Sequence, residues 1–235
     1  MVFSTEHQLE IPDSFPADEM VAFMAAARSI LLLPTKSDAW KELGGASNLI
    51  GWRFRCCHEH MIQYLNSWNA HGENVSLEEL YQRERALFEM FTAGVSCIES
   101  TCYALNALAS HPKMLGLPFG DPEQRSCSPK RLEKLLSRHA KAQALATALN
   151  VLISSTEWAL WVELRNRMTH RSNLPRIVNA AVGAALPPAK TLRFAATSST
   201  PAFDADLSHL ETMFAWLGNS LRNLLVEGAT FATSP

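Results

Sequence analysis

The sequence predicts an all-α fold, a bundle of five or six helices in a single domain over residues 1–235. Three observations predict it. Apolar residues recur at steps of three and four through each long segment, which gathers them on one helical face. Helix punctuation separates those segments, at Pro34, at Ser76 with Glu79, and at Ser128-Pro129. No Gly-rich phosphate loop, no alternation of strand-like and helix-like runs and no internal repeat is present.

Residues 1–16 read as a loose N-terminal arm, with Phe15-Pro16 favouring an extended entry to the first helix. That helix covers residues 17–33. Asp18 and Glu19 complement the dipole of its first turn, and Pro34 stops it. Ser37 or Asp38 opens a second helical region, expected to break at Gly44-Gly45 and to resume from Ala46 to Trp68. Its stripe reads Leu49, Trp52, Cys56, His60 or Met61, and Leu65.

Ser76 followed by Glu79 is a capping-box signature, so a long helix follows to about Ser110. Leu87, Phe91, Ile98, Leu105 and Leu108 lie on its apolar face, and small residues such as Ala93 and Gly94 let another helix come close. Pro and Gly make residues 111–128 a loop. Ser128-Pro129 starts a short helix toward His139, with the proline suited to the first helical position. Residues 140–170 read as one continuous and highly apolar helix. Residues 172–201 read as an irregular loop before the last helix, in which residues 176–182 and 190–196 suit a small hairpin. The last helix covers residues 204–227 with Leu207, Leu210, Phe214, Leu217, Leu221 and Leu224 on one face, and residues 228–235 form a tail.

Hydrophobic residues make up 47% of the chain and charged residues 19%, which rules out general disorder. The net charge of -2 gives no global basic signal, so any nucleic-acid contact must come from a local patch. Five scattered cysteines read as reduced thiols. The N-terminus lacks an apolar signal core, and the apolar run of residues 20–33 is too short to span a bilayer. A cytoplasmic protein without a membrane partner is therefore expected.

The stretch able to carry chemistry is Glu163-Leu164-Arg165-Asn166-Arg167-Met168-Thr169-His170-Arg171. In a continuous helix, the seam Leu145, Leu149, Leu152, Thr156, Ala159, Glu163, Asn166, His170 turns polar in its last two turns without leaving its face. Arg165 projects beside Trp158. Arginine offers a fork of donors for phosphate oxygens, and histidine moves protons near neutrality. Together with an orienting amide they suit phosphodiester chemistry with no cofactor and no metal. Arg167, Arg171 and Arg176 join Arg165 in the densest basic cluster of the chain and are the candidate RNA-binding residues. The plainer alternative is a charged helix end, with arginines on the last carbonyls, His170 as a cap and Glu163–Arg167 as an i,i+4 ion pair.

Arg165-Asn166-x-x-x-His170, late in a long helix of an all-α chain, resembles the Arg-polar-x-x-x-His motif of HEPN domains. The spacing alone is not distinctive, because Arg53 to His58 and Arg55 to His60 repeat it; only the third instance has asparagine after the arginine. The resemblance implies a helical bundle that forms homodimers, with two motifs facing one cleft. It further implies metal-independent endoribonuclease activity in a toxin–antitoxin or phage-defence setting, with RNA as substrate and an antitoxin or other protein as partner. Arg165, Asn166 and His170 would be catalytic. The alternative within the family is a non-catalytic dimeric module that binds a protein or nucleotide.

Three further features need weighing. Cys56-Cys57-His58-Glu59-His60 contains zinc-ligand types, but adjacent cysteines on a helix point about 100° apart. Buried thiols beside a polar edge are the favoured reading there. Glu89 or Glu99 can reach Arg165 across the bundle and hold its fork, or can be a plain exposed carboxylate. His111, before Pro112, reads as a loop residue with no evident role.

Overall fold

The computed structural model describes residues 1–4, 9–31, 39–72, 75–170, 192–194, 203–205 and 207–234. Among them are eight α-helices and two small hairpins. The hairpins are β1 (Val2–Ser4) with β2 (Leu9–Ile11), and β3 (Leu192–Phe194) with β4 (Phe203–Ala205), both antiparallel. The helices are α1 (Ala17–Leu31), α2 (Ala39–His71), α3 (Leu77–Ser110), α4 (Asp121–Arg125), α5 (Pro129–Leu136), α6 (Gln143–Ile153), α7 (Thr156–His170) and α8 (Leu207–Thr233). The all-α expectation holds, with more helices among the described residues than the five or six expected, because the short α4 and the division of α6 from α7 add to the count.

The long α2 and α3 form an antiparallel hairpin, the most extensive helix pair. The capping box opens α3 as expected: the Glu79 N–H donates to the Ser76 Oγ at 3.2 Å, and the Ser76 N–H donates to the Glu79 carboxylate at 3.4 Å. α3 also packs on α7 and α8, α2 meets α1 and α8, and α1 packs mainly on α8. Phe54 stacks on Phe214 with ring centroids 4.6 Å apart, and Arg222 pairs with Glu19 at 3.0 Å.

Several expectations are corrected. The N-terminal arm is tied down, because it pairs as β1–β2 and then drives Ile11 and Phe15 into the core. Helix α2 runs through Gly44-Gly45 without a break. Two glycines lower helix propensity by about 1 kcal/mol each, which packing along the rest of a 33-residue helix overrides. Its buried face is also rotated from the expected stripe: Leu43, Ile50, Phe54, Cys57 and Met61 are buried, whereas Leu49 and Trp52 are exposed.

The supposed tail is helix. α8 continues to Thr233, and Gly228 lies within it where a Cβ would come 2.7 Å from the Leu105 side chain. The irregular loop contains β3, inside the expected second hairpin arm, but β3 pairs with residues 203–205. The other expected arm, residues 176–182, lies outside the described residues.

The correction that matters most for function concerns residues 140–170. They are not one helix: a short 3-10 turn (Ala140–Ala142) leads into α6, and α6 meets α7 at a 61° bend. Ser154 closes α6. Ser155 starts α7, donating through Oγ to the Leu152 carbonyl at 2.7 Å and accepting from the Trp158 N–H at 3.1 Å. No single helix among the described residues is long and apolar enough to cross a membrane.

Candidate functional site

The 61° bend breaks the seam expected to run from Leu145 to His170. Thr156 and Ala159 are exposed, while Trp161 and Leu164 are fully buried. The packed face of α7 is therefore Trp158, Trp161, Leu164 and Met168, and Arg165 belongs to it, one turn beyond Trp161. Arg165, rather than Asn166, continues the direction set by the buried residues.

Trp161 fixes where α7 crosses α3. Its indole lies over Gly94 and meets the Phe91 ring edge-on at 5.4 Å. A Cβ built on Gly94 would overlap the Trp161 six-membered ring, so only glycine admits this contact. The expected close approach of a helix at Gly94 is thus realised by α7. With Trp161 seated, Arg165 reaches Glu99 of α3, and its Nη2 lies 3.6 Å from the Glu99 carboxylate.

That distance is an ion pair rather than a short hydrogen bond. The Arg165 Nε is buried and has no hydrogen-bond partner among the described residues. The guanidinium is consequently held in place by packing and by one carboxylate, with donor capacity left over. Of the two acidic residues considered as its anchor, Glu99 fills the role.

Asn166 is half-buried next to it. His170 is the last residue of α7, one turn beyond Asn166; its side chain lies outside the described residues, as do Arg171 and Arg176. Arg167 pairs with Glu163 at 3.2 Å, the i,i+4 pair anticipated for a plain helix end, and its side chain is only 13% exposed. Met168 lines a depression of about 580 Å³ against α3 with Tyr81, Glu84, Arg85, Phe88 and Glu89. Arg85 adds an exposed cation that sequence spacing did not connect with α7, since α3 reaches it only through the tertiary crossing.

The Cys56–His60 segment lies within α2, and its side chains fan out. Cys57 is fully buried, His58 stacks on Phe214 at 5.2 Å, and His60 bonds Gln63 at 3.2 Å. Burial pushes the Cys57 and Cys56 thiols above their ordinary value, which disfavours the thiolate that binds metal. No group of three or more His, Cys, Asp or Glu side chains among the described residues is arranged to hold a metal ion.

His111 is fully buried at the end of α3, where its Nδ1 accepts the Lys113 N–H at 3.2 Å. Burial, with Lys113 nearby, lowers its pKa. It caps the helix inside the core and is remote in role from the arginine cluster. No protein-family model, no curated protein and no solved structure matches the chain.

Proposed function

We propose that this chain is a HEPN-like, metal-independent endoribonuclease. Arg165 would bind the scissile phosphate, His170 would exchange protons with the ribose 2'-hydroxyl and the leaving oxygen, and Asn166 would orient them. A toxin–antitoxin or phage-defence role, with a protein partner, follows from the same family resemblance.

One observation carries the reading. Arg165 sits on the packed face of α7, anchored by Glu99 at 3.6 Å and with its donors incompletely used, beside Asn166, which lies one turn before His170. An arginine that is positioned but unsaturated suits an incoming phosphate, because its ordering cost is already met by packing.

Purified protein incubated with RNA in EDTA should give products ending in 2',3'-cyclic phosphate. Arg165→Ala and His170→Ala should each lower the rate by at least about a hundredfold. RNA left intact, or a His170→Ala protein that cuts as fast as the parent, sinks the proposal.

A second reading, a non-catalytic dimeric module binding a protein or nucleotide, is favoured by charge. Arg167 is neutralised by Glu163, and the depression at Met168 sets Glu84 and Glu89 against one arginine. This reading predicts no cleavage and a stable dimer that Arg165→Ala weakens.

A further inference from the structure

We propose that the exposed face of α2 is an interface between two copies of this chain. The two α2 helices pack antiparallel about a two-fold axis near Leu49, and Trp52 of each copy covers Gly45 of the other. The proposal stands on α2 alone and does not require RNA chemistry.

Three features of α2 point the same way. Leu49 and Trp52, one turn apart, are 42% and 57% exposed. An exposed tryptophan with an apolar neighbour is the kind of anchor that dominates association energies. Beside them runs a groove of about 430 Å³, whose α2 wall is Glu42, Gly45, Ala46, Leu49 and Arg53. Gly45 also stands inside a 33-residue helix, where alanine is the better residue. A Cβ built on it meets nothing within 4 Å, so packing inside the protomer does not require glycine. The hollow admits a side chain that approaches from outside the protomer.

The face is complementary to itself. At about 100° per residue, Gly45 and Trp52 lie about 40° and 60° to one side of Leu49, and Glu42 and Arg53 lie about 20° and 40° to the other. A two-fold axis that makes the helices antiparallel keeps each edge on its own side while reversing its direction. Trp52 then meets the partner's Gly45 along one edge. Along the other, Glu42 comes within about a turn of the partner's Arg53, twice over by symmetry.

Both charged groups have capacity for this pairing. Glu42 accepts from the Tyr103 hydroxyl at 2.8 Å through one carboxylate oxygen. Arg53 is fixed to α3 through Nη1 alone, on the Ser96 carbonyl at 2.9 Å and on the Ser100 hydroxyl. Glu99, which pairs with Arg165, lines the same groove, so the interface lies on the side of α3 that carries the candidate site.

The test is sedimentation equilibrium of the full chain at up to about 100 μM. The parent should dimerise, and Trp52→Ala should weaken the dimer at least about tenfold. Gly45→Leu fills space that is open in the protomer. It should weaken the dimer as much while leaving the thermal midpoint, read at a dilution where parent and variant are both monomeric, unchanged or raised, which separates lost association from lost folding. Leu49→Cys, at the axis, should cross-link to its own copy under mild oxidation, and Val151→Cys on exposed α6 should not. A parent that stays monomeric overturns the proposal, as does a dimer that both Trp52→Ala and Gly45→Leu leave intact. RNA cleavage assayed on the same samples separates the two readings: an α2 dimer without cleavage removes the ribonuclease and keeps the interface, and cleavage by a monomer does the reverse.

Discussion

Arg83 is buried to 2% exposure in α3, and nothing in its local sequence announces this. Its Nε donates to the Ser67 hydroxyl, its Nη2 to the Ser67 carbonyl and its Nη1 to the Gly72 carbonyl, at 2.9, 2.7 and 2.7 Å. The guanidinium also stacks over Trp68 at 4.7 Å. It ties the end of α2 to the start of α3, where the last carbonyls of a helix would otherwise lack donors. Arg83→Met strands those acceptors and should cost about 3 kcal/mol, read as a lower urea midpoint at an unchanged slope. Gly94→Ala should cost about 1–3 kcal/mol, because the new methyl displaces the Trp161 indole. In the proposed ribonuclease it should also lower cleavage, since Trp161 sets the height of Arg165 on α3.

At the scale of elements, the Ser154-Ser155 joint decides the site. A single helix over residues 140–170 would have pointed Asn166 and His170 along the buried seam. Serine at the joint lets α6 end and α7 begin within two residues, and the 61° turn then puts Trp161, Leu164 and Arg165 against α3. Ser155→Ala removes the acceptor for the Trp158 N–H and should destabilise the protein by about 1 kcal/mol. It should also raise the amide-exchange rate in the first turn of α7, which NMR or mass spectrometry would record. The signal was present in Ser154-Ser155-Thr156-Glu157, a run of residues that favour helix starts, but apolar periodicity on both sides concealed it. The capping box of α3 was legible because no competing pattern surrounds it. The N-terminal hairpin was not, because three-residue strands carry too little alternation to register.

At the scale of the molecule, pH should act through the buried His111 and the half-buried His58. Burial lowers the pKa of His111, with Lys113 adding to it, and burial also lowers that of His58 against an opposing Glu59, both from an ordinary 6.5. The folded state therefore favours their neutral forms. The unfolded chain binds more protons below pH 6.5, so stability falls as the pH drops through that value. The thermal midpoint should decline between about pH 7 and pH 5, and His111→Gln should flatten the decline. The sequence by itself determined the helical class, the length and start of α3 and the close helix approach that Gly94 permits. Each is written in periodicity, capping or side-chain chemistry, which act over a few residues. Only the tertiary structure decided that Arg165 faces Glu99, that Arg167 is spent on Glu163, that Arg83 is buried, and that Leu49 and Trp52 face outward. Those outcomes depend on the angle at which α7 leaves α6 and on the rotation of α2 against α3, and both are set by packing between residues far apart in the chain.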